Sequence, residues 1–176
     1  MERRGFLRFC LTAGVVQSIT PSISAAQASS ATAVPSQSRT LSEADAQAIR
    51  DTVIKLEDAM NLAVDSLDCD VGMASFGDQE PIFVSSDRVT RTRTAMRGVC
   101  ETMVAPRSGA VFVVDTLTAH ALSSDAAYVV REGTYTVNFK DGTSRRTFLV
   151  MTTVWARQSG GWKMVHLHES SRVPPA

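Results

Sequence analysis

The stretch Thr152-Thr153-Val154-Trp155-Ala156-Arg157-Gln158-Ser159-Gly160-Gly161-Trp162-Lys163-Met164-Val165-His166-Leu167-His168-Glu169-Ser170 decides how the chain reads. β-Branched and aromatic residues alternate with polar ones on both sides of Ser159-Gly160, the pattern of two half-buried strands joined by a two-residue turn. Such a turn fixes the register. It sets Arg157 opposite Trp162, Trp155 opposite Met164, Thr153 opposite His166 and Met151 opposite His168. His166 and His168, two residues apart on a strand, project to one side.

Working backwards, Asp141-Gly142 and Ser123-Ser124-Asp125 read as two more turns, so four long antiparallel strands follow Gly109. With Asp141-Gly142 as a two-residue turn, Tyr128 pairs with Trp155, Val130 with Thr153 and Glu132 with Met151. Parity carried through the earlier turn adds Ala121, Ala119, Leu117 and Asp115. One face then collects Tyr128, Glu132, Trp155, Trp162, His166, His168 and Asp115. The other holds the plainer apolar set Val129, Tyr135, Phe148, Val150, Val154, Val165 and Leu167. An aromatic face with ionisable groups predicts a cavity, and the aliphatic face predicts a packing or dimer surface.

Ahead of Gly109 the apolar period is near 3.6. Ser42-Glu43-Ala44-Asp45 is a helix-start signal, and Ile49, Val53, Leu56, Met60 and Ala63 recur at steps of three and four, predicting an amphipathic helix over 42–64. A short helix over 67–76, a strand over 81–84 and a third helix over 91–104, with Ala95, Val99 and Met103 on one face, complete the reading. Helices first and sheet last make the fold α+β, with the long helix closing the cavity.

The amino terminus is an address. Residues 1–28 run from Arg3-Arg4-Gly5-Phe6-Leu7-Arg8, similar to a twin-arginine export motif, through an apolar middle to Ala26-Gln27-Ala28, the form of a cleavable signal peptide. The apolar middle is shorter than the ~20 residues a membrane span needs, so no stable membrane anchor is expected. Residues 29–40, rich in Ser, Ala, Thr and Gln, read as a flexible leader, 41–172 as one domain and 173–176 as a tail. The expected location is therefore periplasmic or secreted.

Subtraction of the signal also changes the charge. The whole chain balances 18 basic against 18 acidic residues, but the part after residue 28 carries 15 against 17, net −2. No broad cationic field remains for a phosphate backbone, so nucleic acid is excluded as a partner. Cys10 leaves with the signal; Cys69 and Cys100 stay, compatible with a disulfide or with two buried free thiols. No phosphate-binding glycine loop, dinucleotide fingerprint, serine elbow or HExxH occurs.

The predicted cavity face supports acid/base chemistry. Glu132 or Asp115 among apolar neighbours has its charged form disfavoured, His168 can exchange the proton, and Tyr128 can donate to a developing oxyanion. Trp155 and Trp162 offer flat stacking surfaces, with His166 and Ser170 completing a ligand-binding set. His166 and His168 have a spacing that can hold a metal, but the ligand count falls short, so neither metal nor other cofactor is expected.

Thr153-Val154-Trp155, the Gly-Gly turn and Trp162-Lys163-Met164-Val165-His166-Leu167-His168-Glu169-Ser170 resemble the carboxy-terminal hairpin of the nuclear-transport-factor-two-like superfamily, nearest its SnoaL-like and calcium/calmodulin-dependent kinase II association-domain branch. The resemblance implies a cone, in which a long helix and shorter helices wrap a curved sheet around a pocket, and a homodimer formed through the sheet. It implies a small-molecule-binding domain of unknown ligand. The alternatives are a ketosteroid-isomerase- or dehydratase-like enzyme, an iota-type carbonic anhydrase, or an oligomerisation module. His168, Ser170 and Ser171 match the histidine-and-serine cluster of the carbonic anhydrase branch, while Leu167 and Glu169 stand where that branch has histidines.

Overall fold

A computed structural model describes residues 40–85 and 88–172. The signal, nearly all of the leader and the tail lie outside the described residues. The elements run α1 (Glu43–Asp65), α2 (Cys69–Ala74), β1 (Ile82–Ser85), β2 (Arg88–Thr90), α3 (Arg93–Val104), β3 (Arg107–Ser123), β4 (Ala126–Phe139), β5 (Ser144–Gln158) and β6 (Gly161–Arg172). The six strands form one curved sheet in the order β2-β1-β6-β5-β4-β3, with β1 parallel to β6 and every other pair antiparallel. This is the expected α+β cone; only the three-residue β2 is an addition.

Helix α1 starts where its cap signal places it, the Ser42 hydroxyl accepting from Asp45 N at 3.1 Å. Its buried face is Ile49, Val53, Glu57, Met60 and Ala63, so a carboxylate occupies the apolar stripe and Leu56 flanks it. On α3 the buried residue is Met96 rather than the predicted Ala95, which is exposed. The disulfide Cys69–Cys100 joins α2 to α3. By chain entropy alone, a bond across 31 residues contributes about 3–4 kcal/mol.

Two local events set which side chains face the helices. The first is the β4–β5 turn, which uses three residues, Lys140 to Gly142, and pairs Asn138 with Ser144. Gly142 at φ +86° supplies the left-handed step, and Asp141 accepts from Thr143 N at 2.9 Å and Thr143 Oγ1 at 2.7 Å. The second lies in β6. The two-residue turn at Ser159-Gly160 holds, and Trp155 pairs with Met164 as expected, but Val154 then pairs with His166, leaving Val165 as an extra bulged residue.

Because side chains alternate with period two, each extra residue turns the rest of a strand over. In β4 the helix-facing set becomes Ala127, Val129, Arg131, Gly133 and Tyr135, and in β6 beyond the bulge it becomes Leu167, Glu169 and Ser171. A further bulge between Val114 and Thr116 lets β3 bend, and Gly133 sits opposite it. A Cβ on Gly133 would come within 2.2 Å of Val113 O, so only glycine permits this close approach.

Candidate functional site

The register corrections move most of the sequence-derived site. Tyr128, Glu132, His166, His168 and Ser170 lie on the outer face of the sheet, away from the helices, because of the longer β4–β5 turn and the Val165 bulge. There Tyr128 stacks on His120, ring centroids 4.8 Å apart. Burial depresses the His166 imidazole below its ordinary value, with the neighbouring His168 adding to the effect. Asp115 is exposed in the β3 bulge. Trp155 and Trp162 do face the helices, but as packing: Trp155 is fully buried, and Trp162 is half-buried at the sheet end under the Arg157 guanidinium. Among the described residues no three metal-ligating side chains converge.

The concave side holds a different site, a cavity of about 430 Å³ between the sheet and all three helices. Its body is apolar, walled by Met60, Met73, Met96, Met151, Phe76 and Phe112 among others. Methionine is flexible and polarisable, so such a wall adapts to the shape of an occupant. One cross-strand row, Leu117–Arg131–Met151–Glu169–Ser85, runs over this face and sets a cation and a carboxylate on either side of Met151.

Arg131 reaches the cavity from a position that is 1% exposed, with Glu57, 0% exposed, as its counter-charge. Its Nη1 lies 3.3 Å from Glu57 Oε2 and also donates to Asn61 Oδ1, while its Cζ sits 5.2 Å over the Phe112 ring. The other carboxylate oxygen, Glu57 Oε1, accepts from Trp155 Nε1 at 2.7 Å and from the Thr153 hydroxyl. Arg131 Nε has no partner among the described residues. Burial pulls the Arg131 guanidinium down, opposed first by Glu57 and then by Glu169, and an arginine remains charged through such a change. A buried ion pair held by two further donors to Glu57 and by the Asn61 acceptor on Arg131 is rigid.

At the opposite end of the cavity Arg107 Nη1 donates to the Tyr135 hydroxyl at 2.6 Å. Burial pushes the Tyr135 phenol up, against Arg107 and with Asp65 and Glu169, so it keeps its proton near neutrality. Arg145, which belongs to a hairpin tip in sequence, lines this end as well, beside Thr147. Glu169 Oε1 accepts from the Ser85 hydroxyl at 2.5 Å. Arg93 and Arg97, four apart on α3, are engaged within the fold, Arg93 with Phe76 O and Asp78, and Arg97 with Asp70 and Glu101.

Of the functional residues missed in sequence, Glu57, which backs Arg131 behind the cavity wall, did leave a signal. A carboxylate spaced four from Val53 and three from Met60 sits inside an apolar stripe, which requires a buried partner. Arg131, Tyr135 and Glu169 left none, since only the turn length and the bulge decide their side.

A model of the SnoaL-like domain matches residues 53–174. No curated protein matches in sequence. Among solved structures, the chain is similar to a nuclear transport factor 2 (NTF2-like) superfamily protein from Salmonella enterica serovar Typhimurium, at TM-score 0.66 and 20% identity over 74% of this chain and 95% of that one. A protein from Xanthomonas campestris, described as a calcium/calmodulin-dependent protein kinase II association domain, superposes at 0.62 with 20% identity over 69% and 86% of the two chains. A hexachlorocyclohexane dehydrochlorinase from Novosphingobium barchaimii superposes at 0.65 with 16% identity over 77% and 94%. At such identities these likenesses establish the fold.

Proposed function

The chain belongs to the SnoaL-like domain family, and on that premise we propose that its concave pocket binds a largely apolar small molecule in an exported protein. One observation carries the reading: a cavity of about 430 Å³ walled largely by methionine, phenylalanine, leucine and valine, into which a limited set of charged and hydrogen-bonding side chains projects. Export is supported by the twin-arginine-like signal and by the Cys69–Cys100 disulfide, which suits an oxidising compartment. The test is a thermal-shift screen of apolar small molecules on the purified protein, with Leu149→Trp as the pocket-filling control. Ligands that raise the melting temperature of the wild type and not of the variant support the reading. A screen without hits, or hits indifferent to Leu149→Trp, removes it and leaves the oligomerisation module.

A second reading, acid/base catalysis, is favoured by Glu169. Its carboxylate faces the cavity with only Oε1 engaged by Ser85, in the same pocket as the protonated Tyr135 phenol. Glu169 would take a proton beside a carbonyl or leaving group, and Tyr135 would donate to the developing oxyanion. Elimination chemistry of this class is what the name of the similar dehydrochlorinase describes for that protein. Glu169→Gln should then abolish turnover while ligands still bind, whereas Glu132→Ala and His168→Ala, on the outer face, should leave turnover intact. Carbon dioxide hydration has less support, since Leu167 and Glu169, the two departures from the carbonic anhydrase pattern, line the cavity, and of the three matching residues only Ser171 does. A hydration assay with and without chelator tests it.

A further inference from the structure

We propose that the end of the pocket framed by Arg107, Tyr135 and Arg145 is a headgroup subsite for a carboxylate, so that the ligand class is an amphipathic monocarboxylic acid. The inference rests on the pocket-binding reading above and adds the chemistry that end would recognise. Its geometry comes from three strands. Tyr135 on β4 pairs directly with Thr147 on β5, Arg145 lies two residues further along the same face, and Arg107 opens β3 beside them. All four line the cavity.

The donors at this end are unspent. Arg107 gives Nη1 to the Tyr135 oxygen, but its Nε is buried and has no partner among the described residues. A buried guanidinium N–H without an acceptor is costly, and a ligand oxygen at this spot would relieve that cost. Tyr135 accepts from Arg107, which leaves its own O–H free to donate, and no acceptor for that proton occurs among the described residues. Neither Arg107 nor Arg145 forms an ion pair with a described carboxylate, whereas Arg50, Arg93, Arg97, Arg131 and Arg157 each have one within 4.0 Å. Two uncompensated guanidiniums and a phenol match a planar carboxylate, which accepts several hydrogen bonds at once.

The carboxylates near this end are already occupied. Asp65 accepts from Phe112 N at 3.1 Å, and Glu169 takes the Ser85 hydroxyl. Glu169 also lies in the Arg131 row, and Arg131 and Tyr135 are four residues apart on β4, about 13 Å of strand. Besides burial, Asp65 and Glu169 both act on the Tyr135 phenol and raise it, and the Arg107 guanidinium opposes them there. The same 13 Å of apolar wall accommodates a chain of roughly ten carbons, given ~1.3 Å per methylene and the ~3.3 Å rise per strand residue.

The experiment titrates decanoate and decan-1-ol separately into the purified protein by isothermal calorimetry near neutral pH, for wild type, Arg107→Gln, Tyr135→Phe and Arg145→Gln. The expected result is that wild type binds decanoate about tenfold or more tighter than the alcohol, as befits charge-assisted hydrogen bonds in a half-buried site. Arg107→Gln lowers decanoate affinity to the level of the alcohol and leaves alcohol affinity unchanged. Should Arg107→Gln fail to fold, as judged by circular dichroism, Tyr135→Phe and Arg145→Gln carry the same reading, each with a smaller loss. Equal affinity for both probes, or a decanoate preference that persists in every variant, overturns the carboxylate subsite and leaves the apolar pocket standing. Absence of binding by either probe overturns both.

Discussion

Arg131 and Glu57 are the residues on which the interior turns, because each is a full charge removed from water and each is tolerable only in the other's presence. Arg131→Met keeps the volume and removes the cation, leaving Glu57 buried with only the Trp155, Thr153 and packing contacts around it. The expected loss is about 3–5 kcal/mol, read as a lower urea midpoint at unchanged slope. Adding Glu57→Gln to Arg131→Met should recover part of it, since the amide needs no counter-charge and still accepts from Trp155 Nε1. A single variant within about 0.5 kcal/mol of wild type would mean that water reaches the pair. On the outer face His166 behaves in the opposite sense to an ion-paired group. Its folded-state value is depressed below 6.5, so the unfolded chain binds the proton more readily. Its contribution is therefore fully present above pH 6.5 and is lost as pH falls through the lower folded value. Melting temperatures of wild type and His166→Asn compared from about pH 7.5 down to about pH 5 should converge as the pH drops. A constant gap between the two curves removes the histidine from the acid sensitivity.

At the scale of elements, what was legible in the sequence and what was not divide along a physical line. Helix α1, its Ser42 cap and the Ser159-Gly160 turn follow from local rules, and the pairs Arg157/Trp162 and Trp155/Met164 come out as the turn dictates. Val165 and the third turn residue at 140–142 do not, because a bulge answers to the curvature of the whole sheet rather than to its own neighbours. Each adds one residue, and one residue reverses a face. That is why Tyr128, Glu132, His166 and His168 lie outside while Arg131, Tyr135 and Glu169 lie within. Gly133 marks the same curvature from the opposite strand. Gly133→Ala sets a Cβ 2.2 Å from Val113 O, so β3 and β4 must separate, with an expected loss above about 2 kcal/mol. Gly98→Ala on α3 meets nothing within 4 Å and should instead stabilise, by about 0.5–1 kcal/mol, through helix propensity. Opposite signs from the same chemical change, measured by denaturation, separate a curvature glycine from an incidental one; a neutral Gly133→Ala would mean that the sheet yields at no cost.

For the whole molecule the open question is what meets the outer face of the sheet, since the helices and the pocket occupy the other side. Strands β3 to β6 are each at least 12 residues long. At ~4.8 Å between strands and ~3.3 Å per residue they present about 800 Å², the share that one partner contributes to a standard interface. The face carries Val130, Val150, Val154 and Phe148, all only half-buried, among Tyr128, Thr152 and the two histidines. A charged pair such as Val130→Glu with Val154→Lys places ions in the centre of that area without touching the pocket. We expect sedimentation to find the wild-type protein at twice its monomer mass and the double variant at the monomer mass, with ligand shifts in melting temperature retained, because Val130 and Val154 point away from the cavity, on the other side of the sheet. A wild type that sediments as a monomer, or a dimer indifferent to both substitutions, would place any interface elsewhere. A monomeric variant that also loses ligand response would show that the partner steadies the strands from which Arg131, Tyr135 and Glu169 reach into the pocket.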